Sequence, residues 1–379
     1  MPRGVLSTLE DCEDLIRGCL FMGTGGGGSA EWGRGVFSAA LDEGLKIEWV
    51  DIDDISDDDW TVTPYGMGSI APPSPEAQEE IARAGLVDRL GHTDMDLAVR
   101  EMEEYAQVKI AALVPVELGA GNTPAPLVTG ARLGIPVVDG DYAGRAIPEE
   151  MQGTPYLYDK KGWPFASVDR WGNVCIVKEA CNLQMMERIG KMLSVAAYGA
   201  CSMAAYLLPG REMKEILVRD TLTKSLELGR TIRQARERGE DPILASLEFT
   251  GGWLLFEGEV TKKEWEDRAG YMFGTTYIEG KGEFEGHSFK VWFKNENHVS
   301  WLDDEPFVTS PDLLVIVDRA SGEGMTNTLL QAGQDVAVIG VKGLEDFRSE
   351  KGLAGAGPRY FGFDIDYVPI EDRIRTSGA

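Results

Sequence analysis

The segment that most narrows what this chain can fold into is 108–149. Residues 108–114 (VKIAALV) form a continuous apolar run, which is what a parallel strand covered on both faces needs. A loop follows at 115–122, and then Thr123 and Pro124 offer a helix cap and a first helical residue whose missing N–H does no harm. The predicted helix ends near Gly134, residues 135–138 are the next strand, and Asp139-Gly140-Asp141 leaves it. Strand, helix and strand in about thirty residues define a βαβ unit with a right-handed crossover. The spacing therefore predicts parallel pairing of 108–114 with 135–138.

Both loops of such a unit open on one edge of the sheet, where open α/β sheets bind ligands. Glu117, Asn122, Asp139, Asp141 and Arg145 all follow strand ends there. The helix starting at Pro124 points its positive end at the same edge. Three carboxylates so close repel unless Arg145, a metal or a raised pKa relieves them. Glu117, Asp139, Asp141 and Arg145 are accordingly the candidate catalytic residues, and Asn122 a candidate substrate contact. Asp139 and Asp141 are also the candidate ligands for a divalent metal such as zinc. The competing reading is that acids at strand ends are ordinary turn formers. If the cluster is the site, Asp139→Asn and Glu117→Gln should fold and lose nearly all turnover.

Two further stretches carry polar chemistry. Gly23-Thr24-Gly25-Gly26-Gly27-Gly28 formally contains GxGxxG, and Asp51 ends a strand at 46–51. The strand that should precede a dinucleotide fingerprint is poor, because 19–22 follows a helical segment at 8–18. No Lys-Ser/Thr closes a Walker loop either. Ser29 caps a helix reaching about Gly44, so Gly25, Gly26, Gly27 and Gly28 could present N–H groups to an anion or carbonyl. A tight turn without a ligand is the plain alternative. Further on, KNENH (294–298) ends an alternating strand. Side chains there alternate faces, so Asn295 and Asn297 could point together at a substrate; a polar edge is the plain alternative. There are 3 histidines (His92, His287, His298), with neither HExxH nor a GxSxG elbow.

Charge excludes some function classes. Against 37 Lys+Arg stand 63 Asp+Glu, a net of −26, so a nucleic-acid or anionic-membrane surface is not expected. A salt-adapted source would also give such acidity. The N-terminus lacks the order of a signal peptide. The longest apolar stretch, 192–208, falls short of the ~20 residues of a membrane span, and it predicts a buried helix over 182–208. The 5 cysteines are scattered and suit reduced thiols, so a cytoplasmic location is expected. Residues 57–75 read as a loop-rich excursion, with helices at 76–84, 94–106 and 219–238. Short strands follow over 246–300, then at 312–317 and 336–341. The expected fold is an α/β N-terminal domain with parallel βαβ units at 1–165, joined to a strand-rich α+β domain at 166–379. The apolar helix and the β-rich half make a homo-oligomer the expected assembly.

The run GTGGGG (23–28), the stretch VPVELGAGNTPAPLVTGARLGIPVVDGDYAGRAIPE (114–149), KNEN (294–297), PDLLVIVD (311–318) and GPRYFGFDIDYVPIE (357–371) together resemble the S-methyl thiohydantoin desulfurase-like family. That family was long catalogued as a domain of unknown function and is related to thiohydantoin desulfhydrases. The resemblance runs in order from residue 23 to residue 371. It implies an α/β domain followed by a separate C-terminal domain. It also implies a role in sulfur metabolism: hydrolysis at a five-membered hydantoin-like ring, C=S becoming C=O with release of sulfide or thiol. Some members act in ergothioneine breakdown on a thiohydantoin propionate. Others lie near hydantoinase/oxoprolinase-type enzymes, so an accessory subunit of such a complex is one alternative. A dinucleotide-dependent oxidoreductase is another. Under the hydrolase reading the partner is a small-molecule substrate. Glu117 or Asp139 is then the base, and Asp141 orients it or binds metal. The glycine N–H groups and Arg145 meet the charge on sulfur, and Asn122 contacts the ring amide. His298 follows KNEN where the family pattern leads to an apolar residue, so it carries no role.

Overall fold

The computed structural model of the chain describes residues 2–68 and 74–377. Its first half is built on an eight-stranded mixed sheet. The order is Pro2–Leu6, Ile47–Val50, Val137–Val138, Ile110–Leu113, Trp60–Gly68, Ala200–Pro209, Phe165–Val168 and Val174–Val177. Pairing is parallel from Ile47–Val50 to Trp60–Gly68, through Trp49↔Val137, Leu113↔Val137 and Val62↔Leu113. The expected βαβ unit is thus present, with Pro124–Leu133 as its helix and Gly134 in the left-handed region ending it. Helices Leu9–Met22, Ala30–Asp42 and Asp94–Ala106 also pack on this sheet, and Phe37, Trp49, Val99, Met102 and Leu127 fill the core between them. Ser29 caps its helix as predicted, accepting from the N–H of Trp32.

Two expectations are corrected. Within 57–75, Trp60–Gly68 is a central strand of nine residues, not a loop. Its β-branched start (Thr61, Val62, Thr63) decides the conformation, and Pro64 and Gly66 mislead as turn signals. Residues 69–73 of that stretch lie outside the described residues. Over 182–208 the helix covers only Leu183–Ala196. The chain then turns through Tyr198 (φ +61°) and Gly199 (φ +153°) into the strand Ala200–Pro209. An apolar run buried on both faces has no period that separates strand from helix. This strand and the pair Phe165–Val168 and Val174–Val177 carry the first sheet well past residue 165.

The second sheet has seven antiparallel strands. Its order is Glu305–Thr309, Glu296–Leu302, Ser288–Lys294, Tyr271–Gly280, Trp253–Arg268, Asp335–Val341 and Leu313–Asp318. Alternation is clean in Ser288–Lys294, where Phe289, Val291 and Phe293 face the core. The two halves are joined closely where helix Thr221–Glu237 lies along Leu9–Met22. A Cβ on Gly18 would sit 1.8 Å from the Ser225 carbonyl oxygen, so only glycine permits that approach. Among the described residues no helix is long and apolar enough to cross a membrane.

Candidate functional site

Helix Leu9–Met22 delivers the chain into the glycine run, which is bonded on both sides. The N–H groups of Gly121 and Asn122 donate to the Gly27 carbonyl at 2.9 and 3.1 Å. From the second sheet, Asn297 N–H donates to the Thr24 carbonyl at 2.8 Å, and Asn327 N–H to that of Gly25 at 2.7 Å. The run is therefore the seam between the domains. At Gly27 (φ +76°) a Cβ would meet the Gly119 Cα at 2.5 Å, so both conformation and space require glycine. A helix precedes the run, so it lacks the strand–turn–helix setting of a dinucleotide fingerprint. Its amides are also largely engaged, since Gly26 N–H donates to the Gly23 carbonyl at 2.8 Å and Gly27 N–H to Glu296 Oε1 at 3.2 Å.

Glu117, in the loop after Ile110–Leu113, is buried. Its Oε1 accepts from Asn122 Nδ2 and its Oε2 from Ile147 N–H at 2.5 Å. Glu296 reaches it from the other domain. Asn295 alone forms the tip between Ser288–Lys294 and Glu296–Leu302, with φ +57°. This one-residue tip pairs Glu296 with Lys294, so the two share one face, and Lys294 meets Glu149 of the first domain on it. Glu296 Oε2 is buried without a hydrogen-bond partner. Burial pushes Glu117 well above the usual carboxyl range, and the neighbouring Glu296 adds to it. Burial pushes Glu296 up to about 7, with Arg145 opposing. Arg145 donates from Nη2 to Thr24 Oγ1 at 2.8 Å and to the Asn297 carbonyl at 3.2 Å. Burial lowers this guanidinium to about 10, against the pull of Glu296 and Glu117.

Glu117, Asn122, Gly27 and Glu296 line one wall of a small cavity of ≈ 60 Å³ at the domain junction. Glu149, Glu150, Glu187 and Lys191 line the other. Glu150 accepts from Tyr65 Oη at 2.5 Å and from Tyr206, and burial with Glu187 nearby raises it to about 7. Glu187 accepts from Tyr271 Oη at 2.7 Å, and Lys191 Nζ lies 3.8 Å from it. Glu149 pairs with Lys294 at 2.6 Å. A second cavity of ≈ 370 Å³ adjoins the first, sharing Gly66, Met67, Gly68 and Asn122.

The structure brings together Glu117, Asn122 and Arg145 from the expected set and places the others differently. Asp139 Oδ1 accepts from the N–H groups of Leu222 and Thr223 at 3.1 Å each, so it caps helix Thr221–Glu237, and Arg3 lies 3.3 Å from its other oxygen. Asp141 Oδ1 accepts from Ala143 and Gly144 N–H, both at 2.6 Å, closing a turn. Burial raises both acids, Asp141 to about 6. Neither lines either cavity. As a metal pair they do not fit: Oδ1 of each is held by two backbone donors, and Asp139 Oδ2 accepts from Thr223 Oγ1 and faces Arg3. Among the described residues no three His, Cys, Asp or Glu side chains converge on a metal-sized site. The pairing of Asn295 and Asn297 is not what the hairpin makes. Asn295 Oδ1 accepts from Met272 N–H at 2.9 Å at the cavity edge, and Asn297 bonds Leu314 and Asn327 within the core. Among the charged cavity residues, local spacing missed Glu149, Glu150, Glu187, Lys191 and Glu296. Two of them carried a signal: Glu187 and Lys191 sit four apart on an otherwise apolar helix face.

Together these features define a two-domain α/β protein with a buried, carboxylate-lined cleft assembled at the domain seam. The chain belongs to the S-Me-THD-like family. Residues 10–179 match the family's N-terminal domain and residues 181–370 its C-terminal domain. It is also similar in fold to the crystal structure of a protein from Chromobacterium violaceum, at 22% identity and a TM-score of 0.77. That likeness covers 97% of this chain and 100% of the other. No curated protein matches the chain.

Proposed function

We propose that this chain is a hydrolase that desulfurises a thiohydantoin-type five-membered ring, replacing C=S or C–SR by C=O and releasing sulfide or a thiol. The observation that carries the reading is the pair Glu117 and Glu296, buried, supplied by different domains, and facing one cavity with the Arg145 guanidinium behind them. One cation balances one carboxylate, so the pair holds a single proton between its members near neutral pH. Burial raises Glu117 more, but the hydrogen bonds favour the charge there. Both Glu117 oxygens accept from N–H donors, whereas Glu296 keeps Oε2 free to carry the proton. The two donors outweigh burial at Glu117, because a carboxylate bonded by two N–H groups is stabilised in its charged form.

The chemistry follows from that division. Glu117 takes a proton from water as the water oxygen bonds to the ring carbon and the C=S π electrons move onto sulfur. Glu296 then gives its proton to sulfur. As the C–S bond breaks and hydrosulfide leaves, the hydroxyl proton of the intermediate passes to Glu296 and C=O forms; Glu117 returns its proton to solvent. Lys191, the cation on the far wall, faces the charge that builds up on sulfur. Asn122, held by Glu117, offers its Oδ1 to a ring N–H. The glycine run serves by being thin. The test is sulfide or thiol release from a panel of 2-thiohydantoins and S-methyl thiohydantoins. No turnover of any thiohydantoin or hydantoin by the folded protein would falsify the reading.

A further inference from the structure

The larger cavity beside the ring site shows what the ring's substituent should be. It shares Gly66, Met67, Gly68 and Asn122 with the small cavity, so a ring held between Glu117 and Glu296 has its substituent directed there. Its volume of ≈ 370 Å³ exceeds what a five-membered ring alone would fill. Val36, Met95 and Val128 form an apolar wall. Trp32 stands on it with 41% of its surface exposed, its ring edge-on to His92 at 6.1 Å.

Charged groups also border this cavity, but each already has a partner. Arg132 Nη1 donates to the His92 carbonyl at 2.7 Å and faces Asp96 at 3.9 Å. Asp94 accepts from Ser202 Oγ at 2.7 Å, and Arg170 lies 3.7 Å from Asp88. Among the described residues bordering the cavity no unpaired cation is thereby offered to a carboxylate, and the net charge of −26 opposes an anion further.

We infer that the protein selects rings bearing an uncharged aromatic or large aliphatic substituent at the ring carbon remote from sulfur, with Trp32 as the platform against which that group packs. This rests on the desulfurase reading for its placement of the ring, so the test includes a measurement that needs no turnover. Calorimetric binding of unreactive 5-methyl-, 5-benzyl- and 5-(2-carboxyethyl)hydantoin to the intact protein should give an order of benzyl first, by about ten-fold over methyl, with carboxyethyl weakest. With the corresponding thiohydantoins as substrates, the same order should appear in KM. Trp32→Ala should shrink the benzyl-to-methyl preference about ten-fold. If that variant fails to fold, the wild-type binding order decides alone. Equal binding of all three, or preference for carboxyethyl, overturns the inference. Binding in the expected order without turnover of any thiohydantoin keeps the substituent site and sinks the desulfurase chemistry.

Discussion

A Cβ placed on Gly26 would lie 1.8 Å from Oε1 of Glu296, although the two residues belong to different domains and are far apart in sequence. The obstructing atom is the end of a flexible side chain, so Gly26→Ala need not break the fold. It has to push the carboxyl aside. The variant should melt within a few degrees of wild type while turnover falls about 10²-fold, the lower bound for a displaced acid. Thermal melting beside sulfide release checks both halves, and a large drop in melting temperature would contradict the first.

Glu117→Gln and Glu296→Gln each keep the shape and remove a titrating group. Turnover should drop roughly 10²–10⁴-fold in each. Glu296→Gln leaves no donor unmatched at Oε2, so its melting temperature should hold or rise. Glu117→Gln turns its amide toward Asn122 Nδ2 or Ile147 N–H and should cost about 1–3 kcal/mol without unfolding the protein. Unfolding of both variants would mean that the pair is scaffold.

Asp139→Asn separates the capping role from a catalytic one. The change leaves one acceptor for the N–H groups of Leu222 and Thr223 and turns a donor toward Arg3 in place of Oδ2. Stability should fall by about 1–3 kcal/mol, the cost of leaving buried groups mismatched. The kcat of the surviving folded protein should stay within a few-fold of wild type. Denaturant unfolding followed by kinetics on the same samples distinguishes this from a dead but stable variant, which would return Asp139 to the reaction.

Stability should depend on pH in a defined sense. Glu296 and Glu150 titrate near 7 when folded, against an ordinary value of 4.5. The folded state therefore binds more protons than the unfolded state between those values, and the slope of unfolding free energy with pH is negative there. The contribution is fully present below about 4.5 and is lost as pH rises through about 7. His298 works the other way at low pH, since burial holds it well below its usual value and its protonation favours unfolding. Subtracting the Glu296→Gln melting curve from wild type removes that opposing part. The difference should decline from pH 5 to 8 and flatten beyond; a difference that rises with pH would refute the assignment. Turnover should be bell-shaped, failing above about 7 as Glu296 loses its proton.

Local periodicity made the βαβ unit, the Ser29 cap and most helices legible, because each is decided by residues within one or two turns. Trp60–Gly68 and Ala200–Pro209 were not legible, since they pair with each other across the middle of the sheet and their conformation depends on that contact. The site divides in the same way. Glu117, Asn122 and Arg145 lie in the local unit and could be found there. Asp139 and Asp141 share the strand-end signature, yet the backbone donors that occupy them come from a helix start and a turn. Glu296 was hidden because the face it shares with Lys294 is covered by the first domain, a long-range contact that local alternation does not report.

The strand Ala200–Pro209 lies inside the first sheet, but it is encoded beyond residue 180, where the C-terminal family match begins. Cutting the chain at that point would not yield two closed bodies. The leading fragment would end with Trp60–Gly68 stripped of its neighbour, a raw edge of unpaired amides and carbonyls. The trailing fragment would carry the missing strand as an unsupported tail. Mixed together, such fragments have reason to seek each other, so the molecule is suited to reconstitution from two pieces.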